Sequence, residues 1–233
     1  MPIGFRIYTC RKMPDPAVVG GFSKLAAAPV ADCMGRLSAM HPDVRRFSPR
    51  GAVLLGAALT VKARSGDNLM IHKALDMAVP GDVVVVANEG DRSHSSMGEV
   101  MFAHAVFRGI AGIVTDGAIR DVDSLEELPL LVYATGSTPA GPYKDGPGEI
   151  NVPVSCGGQV VYPGDIIMGD SDGVIVIPAG DAKALLEQAT AFTVADSAKS
   201  RAAREGKSDR SWIDKSLQAK GCEVIEAVWD SGL

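Results

Sequence analysis

The sequence predicts an α/β fold: a single domain with a central sheet flanked by helices and a helical arm at its C-terminal end. Three observations carry the prediction. Between Val53 and Ala134, short β-branched apolar runs alternate with stretches of helical periodicity, as strand–helix–strand units require. The 233 residues are 46% hydrophobic and 22% charged, a globular composition that excludes disordered and collagen-like chains. A chain of this length buries about 70% of its unfolded surface, so apolar packing can hold it without disulfides or a structural metal.

The elements follow in order. Asp15 to Met40 is rich in Ala, Val and Leu at helical spacing and reads as one or two short helices, ending near His41-Pro42, where proline disfavours continuation. Val53 to Val61 (VLLGAALTV) is a buried strand whose Gly56 marks a bulge or a close backbone approach. From Asp67 to Ala78, Ile71, Ala74, Leu75 and Ala78 lie at i, i+3, i+4 and i+7, a helix closed by Pro80-Gly81. Val83 to Ala87 is a strand, and Gly98 to Arg108 a helix stopped by Gly109. Ala111 to Thr115 and Leu130 to Ala134 are further strands.

After Gly136 the texture changes to Gly and Pro, and the runs Gln159 to Val161, Ile166 to Met168 and Val174 to Pro178 read as hairpins. Pro80-Gly81-Asp82 recurs as Pro163-Gly164-Asp165, and both are turns. Asp181 can cap a helix with Ala182, Leu185, Leu186 and Ala189 on one face, continued by a polar stretch to about Lys220. Residues 1–195 are therefore read as the domain and 196–233 as a helical extension. Between Asp196 and Asp230 stand seven Lys or Arg and seven Asp or Glu, a charge-neutral arm able to lie in solvent or on a neighbouring subunit.

Charge and motif counts narrow the function. A net charge of -5 argues against a broad nucleic-acid surface, which needs clustered Lys and Arg. Cys10, Cys33, Cys156 and Cys222 lie far apart, without zinc spacing, and read as free thiols. No apolar run approaches a membrane span and no signal peptide is evident, so the expected compartment is the cytoplasm. A methyltransferase has little support without a glycine-rich nucleotide loop after the first strand.

The densest polar group in an apolar setting is Thr115-Asp116-Gly117-Ala118-Ile119-Arg120-Asp121, directly after a strand. Ligands bind in the crevice beyond strand C-termini in open α/β sheets. Arg120 can grip a carboxylate in bidentate fashion, and Asp121 offers a hard oxygen to an ion that keeps much of its water. The bland alternative is that Asp116 and Asp121 cap turns and Arg120 pairs with one of them.

The second element is Met97-Gly98-Glu99-Val100-Met101 at a helix start, where unpaired amides can receive an anion. Glu99 either complements the helix dipole or orients a water. Twenty residues separate Glu99 from Arg120, a helix plus a strand, which returns both to one sheet edge. Other polar residues weigh less. His72 and Asp76 are one turn apart and read as a helix-surface pair, and His104 and Arg108 as structural. His94, with Ser93, Ser95 and Ser96, lines a pocket or faces solvent, and the loop Gly136 to Gly148 has the glycine density of a mobile segment.

Taken together, these strings resemble a known family, over roughly Pro16 to Ala195. They are Ser65-Gly66-Asp67-Asn68, Pro80-Gly81-Asp82, Gly98-Glu99, Arg108-Gly109-Ile110-Ala111-Gly112, Asp116-Gly117-Ala118-Ile119-Arg120-Asp121, Val152-Pro153-Val154, and Pro163-Gly164-Asp165 through Gly169-Asp170-Ser171-Asp172-Gly173-Val174. In that order they resemble the group containing the class II 4-hydroxy-4-methyl-2-oxoglutarate/4-carboxy-4-hydroxy-2-oxoadipate aldolases and the regulator of ribonuclease activity A. The resemblance implies a swivelling β/β/α domain, assembled as a homotrimer or homohexamer with its site between subunits. It implies that Arg120 binds pyruvate, that Asp121 holds a divalent metal, Mg²⁺ or Mn²⁺, and that Gly98, Glu99, Val100 and Met101 bind substrate partly through backbone amides.

The expected function is then metal-dependent cleavage of 4-hydroxy-2-oxo acids to pyruvate and a second oxo acid, with Arg120 and Glu99 as the catalytic residues. Oxaloacetate decarboxylation follows as a side activity because it forms the same enolate. No lysine lies in the motif to form a Schiff base. The competing expectation is a non-catalytic regulator that binds a ribonuclease or helicase.

Overall fold

The computed structural model describes residues 3–49 and 51–229, in two compact units, Met1–Phe192 and Thr193–Leu233. The first unit opens with β1 (Phe5–Ile7), α1 (Pro16–Gly21), α2 (Ala27–Cys33), β2 (Arg45–Arg46) and β3 (Leu54–Ala63). Next come α3 (Leu69–Met77), β4 (Asp82–Ala87), α4 (Glu99–Phe107), β5 (Gly112–Thr115), β6 (Ala118–Ile119), β7 (Leu131–Ala134) and β8 (Gly136–Ser137). Five short strands follow, β9 (Gly148–Ile150), β10 (Val154–Cys156), β11 (Gln159–Val161), β12 (Ile166–Asp170) and β13 (Gly173–Ile177), before α5 (Ala182–Arg204).

The main sheet is mixed, in the order β1-β9-β3-β4-β5-β7-β2, with β12 attached to β3 and β13 to β12. Its centre, β3-β4-β5-β7, is parallel. Because β3 is long, one edge serves two partners: Leu54 to Ala57 pair with β12 and Val61 to Ala63 with β9, both antiparallel. The α/β class is as expected, and the central strands and helices fall within a residue or two of their predicted ends.

Continuous apolar runs form these strands because both faces of the sheet are covered. Along β4, Val84 and Val86 join α3 and α4 in one core, whereas Val83, Val85 and Ala87 face a second core completed by Val154, Cys156 and Val161. A third core packs α1, α2 and α5 on β12 and β13 through Phe22, Val30, Ile166, Met168 and Leu185.

The recurrent Pro-Gly-Asp strings are turns of one design. Gly81 has φ 87° and Gly164 φ 92°, the positive φ that a type II turn requires after proline. Each aspartate folds back: Val79 N donates to Asp82 Oδ2 at 2.8 Å, and Tyr162 N to Asp165 Oδ2 at 2.8 Å. In the first case the turn delivers the chain directly into β4.

The second unit contains the end of α5 and α6 (Ser211–Ala219), separated at Gly206, where φ is 70°. Trp212 is exposed on α6. Among the described residues no helix is long and apolar enough to cross a membrane, and all four cysteines are free thiols.

Candidate functional site

The site is assembled where β4 and β5 end. After β5 the chain turns through Asp116, which accepts from Asn88 N at 2.6 Å. It then runs as β6 between two neighbours. On one side Ser96 N donates to Ala118 O at 2.7 Å and Arg120 N to Met97 O at 2.9 Å; on the other Thr138 N donates to Ile119 O at 2.9 Å. The segment carrying Arg120 and Asp121 is thus braced by the approach to α4 and by the strand after β7. Burial raises the pKa of Asp116, although the backbone amides of Asn88 and Gly90 oppose the shift.

Asp121 has φ 53°, left-handed backbone that aspartate tolerates better than most residues. Its carboxylate lies over the start of α4. Oδ2 accepts from Glu99 N at 3.1 Å and stands 3.3 Å from Arg120 Nε. A helix N-terminus attracts negative charge through its unpaired amides and dipole, which fixes this carboxylate from one side. Gly98 makes the approach possible: a Cβ there would sit 2.3 Å from Asp121 Oδ2 and 2.9 Å from Arg120 Cγ.

Several polar groups are left over. Among the described residues, Asp121 Oδ1 and the terminal nitrogens of Arg120 make no hydrogen bond, and Val100 N finds no backbone acceptor. Both side chains are half-exposed, at 44% for Arg120 and 41% for Asp121. A carboxylate can therefore be taken by the guanidinium fork while Oδ1 faces a cation. No cluster of three His, Cys, Asp or Glu is placed to hold a metal among the described residues. The donor set fits an oxygen-seeking ion that retains several waters, and does not fit a closed zinc cage.

These residues open onto a cavity of about 330 Å³. Met97, Gly98, Val100, Met101, Arg120 and Asp121 form one side, and Asn68, His72, Ser95, Gly141, Pro142 and Lys144 complete it. The backbone at Glu99 anchors Asp121, but its carboxylate is exposed and not among the lining groups. A larger cavity of about 540 Å³ lies beside Asp165 and Val176, and the described residues that line it include no arginine or lysine.

Sequence reasoning missed Asn68, Lys144 and the cavity role of His72. Asp76 pairs with His104 Nε2 at 3.0 Å, which leaves His72 to face the cavity. Burial and the nearby Lys144 charge lower the His72 pKa, so its imidazole is neutral at pH 7. Arg108 donates to Ala78 O at 2.9 Å, a structural role. His94 contacts Asp91 Oδ2 at 3.2 Å and packs on Tyr143, outside the cavity lining.

An Arg–Asp pair at a helix start thus borders a small half-open cavity on an α/β scaffold. A family model described as RraA-like, Aldolase/RraA, matches residues 27–176, and the chain belongs to this family. It is 39% identical over 181 residues to a Halalkalibacterium halodurans protein named "Putative 4-hydroxy-4-methyl-2-oxoglutarate aldolase", covering 78% of this chain and 86% of the relative. Among solved structures, Streptomyces coelicolor RraAS2, described as an unusual member of the RNase ES inhibitor RraA family, is similar with TM-score 0.72 at 25% identity, over 81% of this chain and 98% of that one. The RNA-processing inhibitor RraA of a Thermus species is similar with TM-score 0.62 at 29% identity, over 66% of this chain and 93% of that one.

Proposed function

We propose that the protein is a class II, divalent-metal-dependent aldolase that cleaves 4-hydroxy-2-oxo acids, such as 4-hydroxy-4-methyl-2-oxoglutarate or 4-carboxy-4-hydroxy-2-oxoadipate, to pyruvate and a second oxo acid. The observation that carries the reading is the Arg120–Asp121 pair, held 3.3 Å apart with the carboxylate fixed by the Glu99 amide and its second oxygen left open. Asp121 Oδ1 would hold Mg²⁺ or Mn²⁺, which when bound supplies Lewis-acid stabilisation to the oxo-acid oxygens.

Arg120 would bind the substrate carboxylate and add positive charge where the enolate develops. Gly98, Glu99, Val100 and Met101 would frame the substrate, with Val100 N as the free amide. In the cleavage step the C4 hydroxyl loses its proton, C4–O becomes a carbonyl, and the C3–C4 electron pair passes to the departing pyruvate enolate, which is then protonated at C3. Glu99, whose carboxylate is exposed and outside the cavity lining, would have to turn inward to orient the water that receives the hydroxyl proton. Loss of CO₂ from oxaloacetate would give the same enolate.

We also propose a homotrimer or homohexamer, in which a second copy closes the half-open cavity. α4 supports this: Val100 beside the site and Phe107, two turns along the helix, are 81% and 83% exposed, and an apolar helix face left in water marks a contact surface.

A second reading, a non-catalytic regulator that binds a ribonuclease, is favoured by the similarity to RraAS2. The two separate cleanly. Purified protein with Mg²⁺ should release pyruvate from a panel of 4-hydroxy-2-oxo acids, followed with a coupled dehydrogenase. No release from any member, together with capture of a ribonuclease by metal-free protein, would favour the regulator.

A further inference from the structure

Asn68 occupies the N-cap position of α3 but caps nothing, although asparagine is among the best capping residues. Its neighbour Asp67 does that work, accepting from Leu69 N at 2.9 Å. The Asn68 side chain reaches instead toward α4, where Nδ2 donates to Ser96 O at 3.1 Å and lies 3.5 Å from Met101 Sδ. A backbone carbonyl only accepts, so the Ser96 bond fixes which end of the amide is nitrogen. Oδ1 is left as a buried acceptor with no partner among the described residues.

Asn68 is 3% exposed and lines the same cavity as Arg120 and Asp121. A buried carbonyl oxygen without a donor is costly and uncommon. An amide on the cavity wall that forgoes its helix cap and keeps a buried acceptor idle is arranged for a ligand that brings the donor. On the aldolase reading, the substrate's carboxylates and 2-oxo group are acceptors only, and its single hydrogen-bond donor is the C4 hydroxyl. We infer that Asn68 Oδ1 accepts the hydrogen bond of the C4 hydroxyl and so separates 4-hydroxy-2-oxo acids from oxo acids that lack it.

The inference rests on the aldolase reading, and the test keeps the two apart by comparing two substrates. The wild-type protein with Mg²⁺ is assayed on 4-hydroxy-4-methyl-2-oxoglutarate and on oxaloacetate, which yields pyruvate without a C4 hydroxyl. Asn68→Ala should lower kcat/KM for the hydroxylated substrate about five- to tenfold more than for oxaloacetate, the scale of one lost hydrogen bond. Asn68→Asp loses the Ser96 bond but keeps the acceptor, so the ratio of the two values should return close to wild type even where both fall. If the alanine variant does not fold, Asn68→Ser, which withdraws the oxygen from the cavity, should show the same selective loss.

Equal losses on both substrates in Asn68→Ala or Asn68→Ser would reduce Asn68 to a brace for α4 and overturn the assignment while leaving the aldolase reading intact. A selective loss in Asn68→Asp as large as in Asn68→Ala would also overturn it. Wild-type protein inactive on both substrates would remove the aldolase reading, and this assignment with it.

Discussion

Replacing Gly98 with alanine should disable the site and leave the fold in place. Gly98 is extended, with φ −154° and ψ −170°, a conformation alanine adopts freely, so only the added methyl group matters. That methyl would lie 2.3 Å from Asp121 Oδ2, 2.9 Å from Arg120 Cγ and 3.0 Å from Arg120 Nε. Restoring ordinary contact requires the carboxylate to retreat by roughly 1 Å, enough to break its 3.1 Å bond from Glu99 N. A misplacement of about 1 Å costs on the order of 100-fold in rate, or about 2.7 kcal/mol of transition-state stabilisation. Both displaced side chains are half-exposed and can move into water, so the stability loss should stay at or below about 1 kcal/mol. Pyruvate release measured through a coupled dehydrogenase at saturating Mg²⁺, with urea unfolding alongside, reads both quantities. A kcat/KM within threefold of wild type would refute the view that this packing positions the pair.

Arg120→Lys keeps the charge but loses the planar fork, and should raise KM for the oxo acid about tenfold in steady-state assays. Asp67, 1% exposed, accepts from Leu69 N, Asp145 N and Gly146 N at 2.9, 2.6 and 2.9 Å. Asp67→Ala strands three amides and should destabilise the fold by about 3 kcal/mol in urea melts. The native His72 pKa lies below its ordinary 6.5, so as pH falls through that value the unfolded chain binds a proton that the folded state resists. Stability should therefore decline from about pH 7 downward until the native pKa is passed, and His72→Gln should flatten this part of a Tm-versus-pH curve.

What the sequence made legible was whatever announces itself locally. β3, β4, β5 and β7 are apolar runs buried on both faces, and α3 carries its buried residues Ile71, Ala74 and Leu75 at helical spacing. The Gly98-Glu99 and Arg120-Asp121 strings were readable because each is contiguous and sits where an element starts or ends. Contacts between distant segments left no local trace. β9 was unreadable because its central Glu149, which looks like a surface residue, is buried against Arg6. Arg11, one charge among several near the N-terminus, is buried in an ion pair with Asp82. Asn68, His72 and Lys144 reach the cavity from α3 and from the loop before β9, and only the folded chain reveals that they share it with Arg120. The i, i+4 spacing of His72 and Asp76 pointed to a pair within one helix, whereas Asp76 turns to His104 on the next.

The most direct measurement compares pyruvate release from oxaloacetate, above the protein-free rate, by wild-type protein and Asp121→Ala, each with Mg²⁺ and then with EDTA. If Asp121 holds the ion that the chemistry needs, wild-type activity disappears on chelation and returns when Mg²⁺ is added back, while Asp121→Ala stays at background in both conditions. Wild-type rates that persist in EDTA, or an Asp121→Ala variant that still responds to Mg²⁺ as wild type does, would contradict that role for the site at the end of β5.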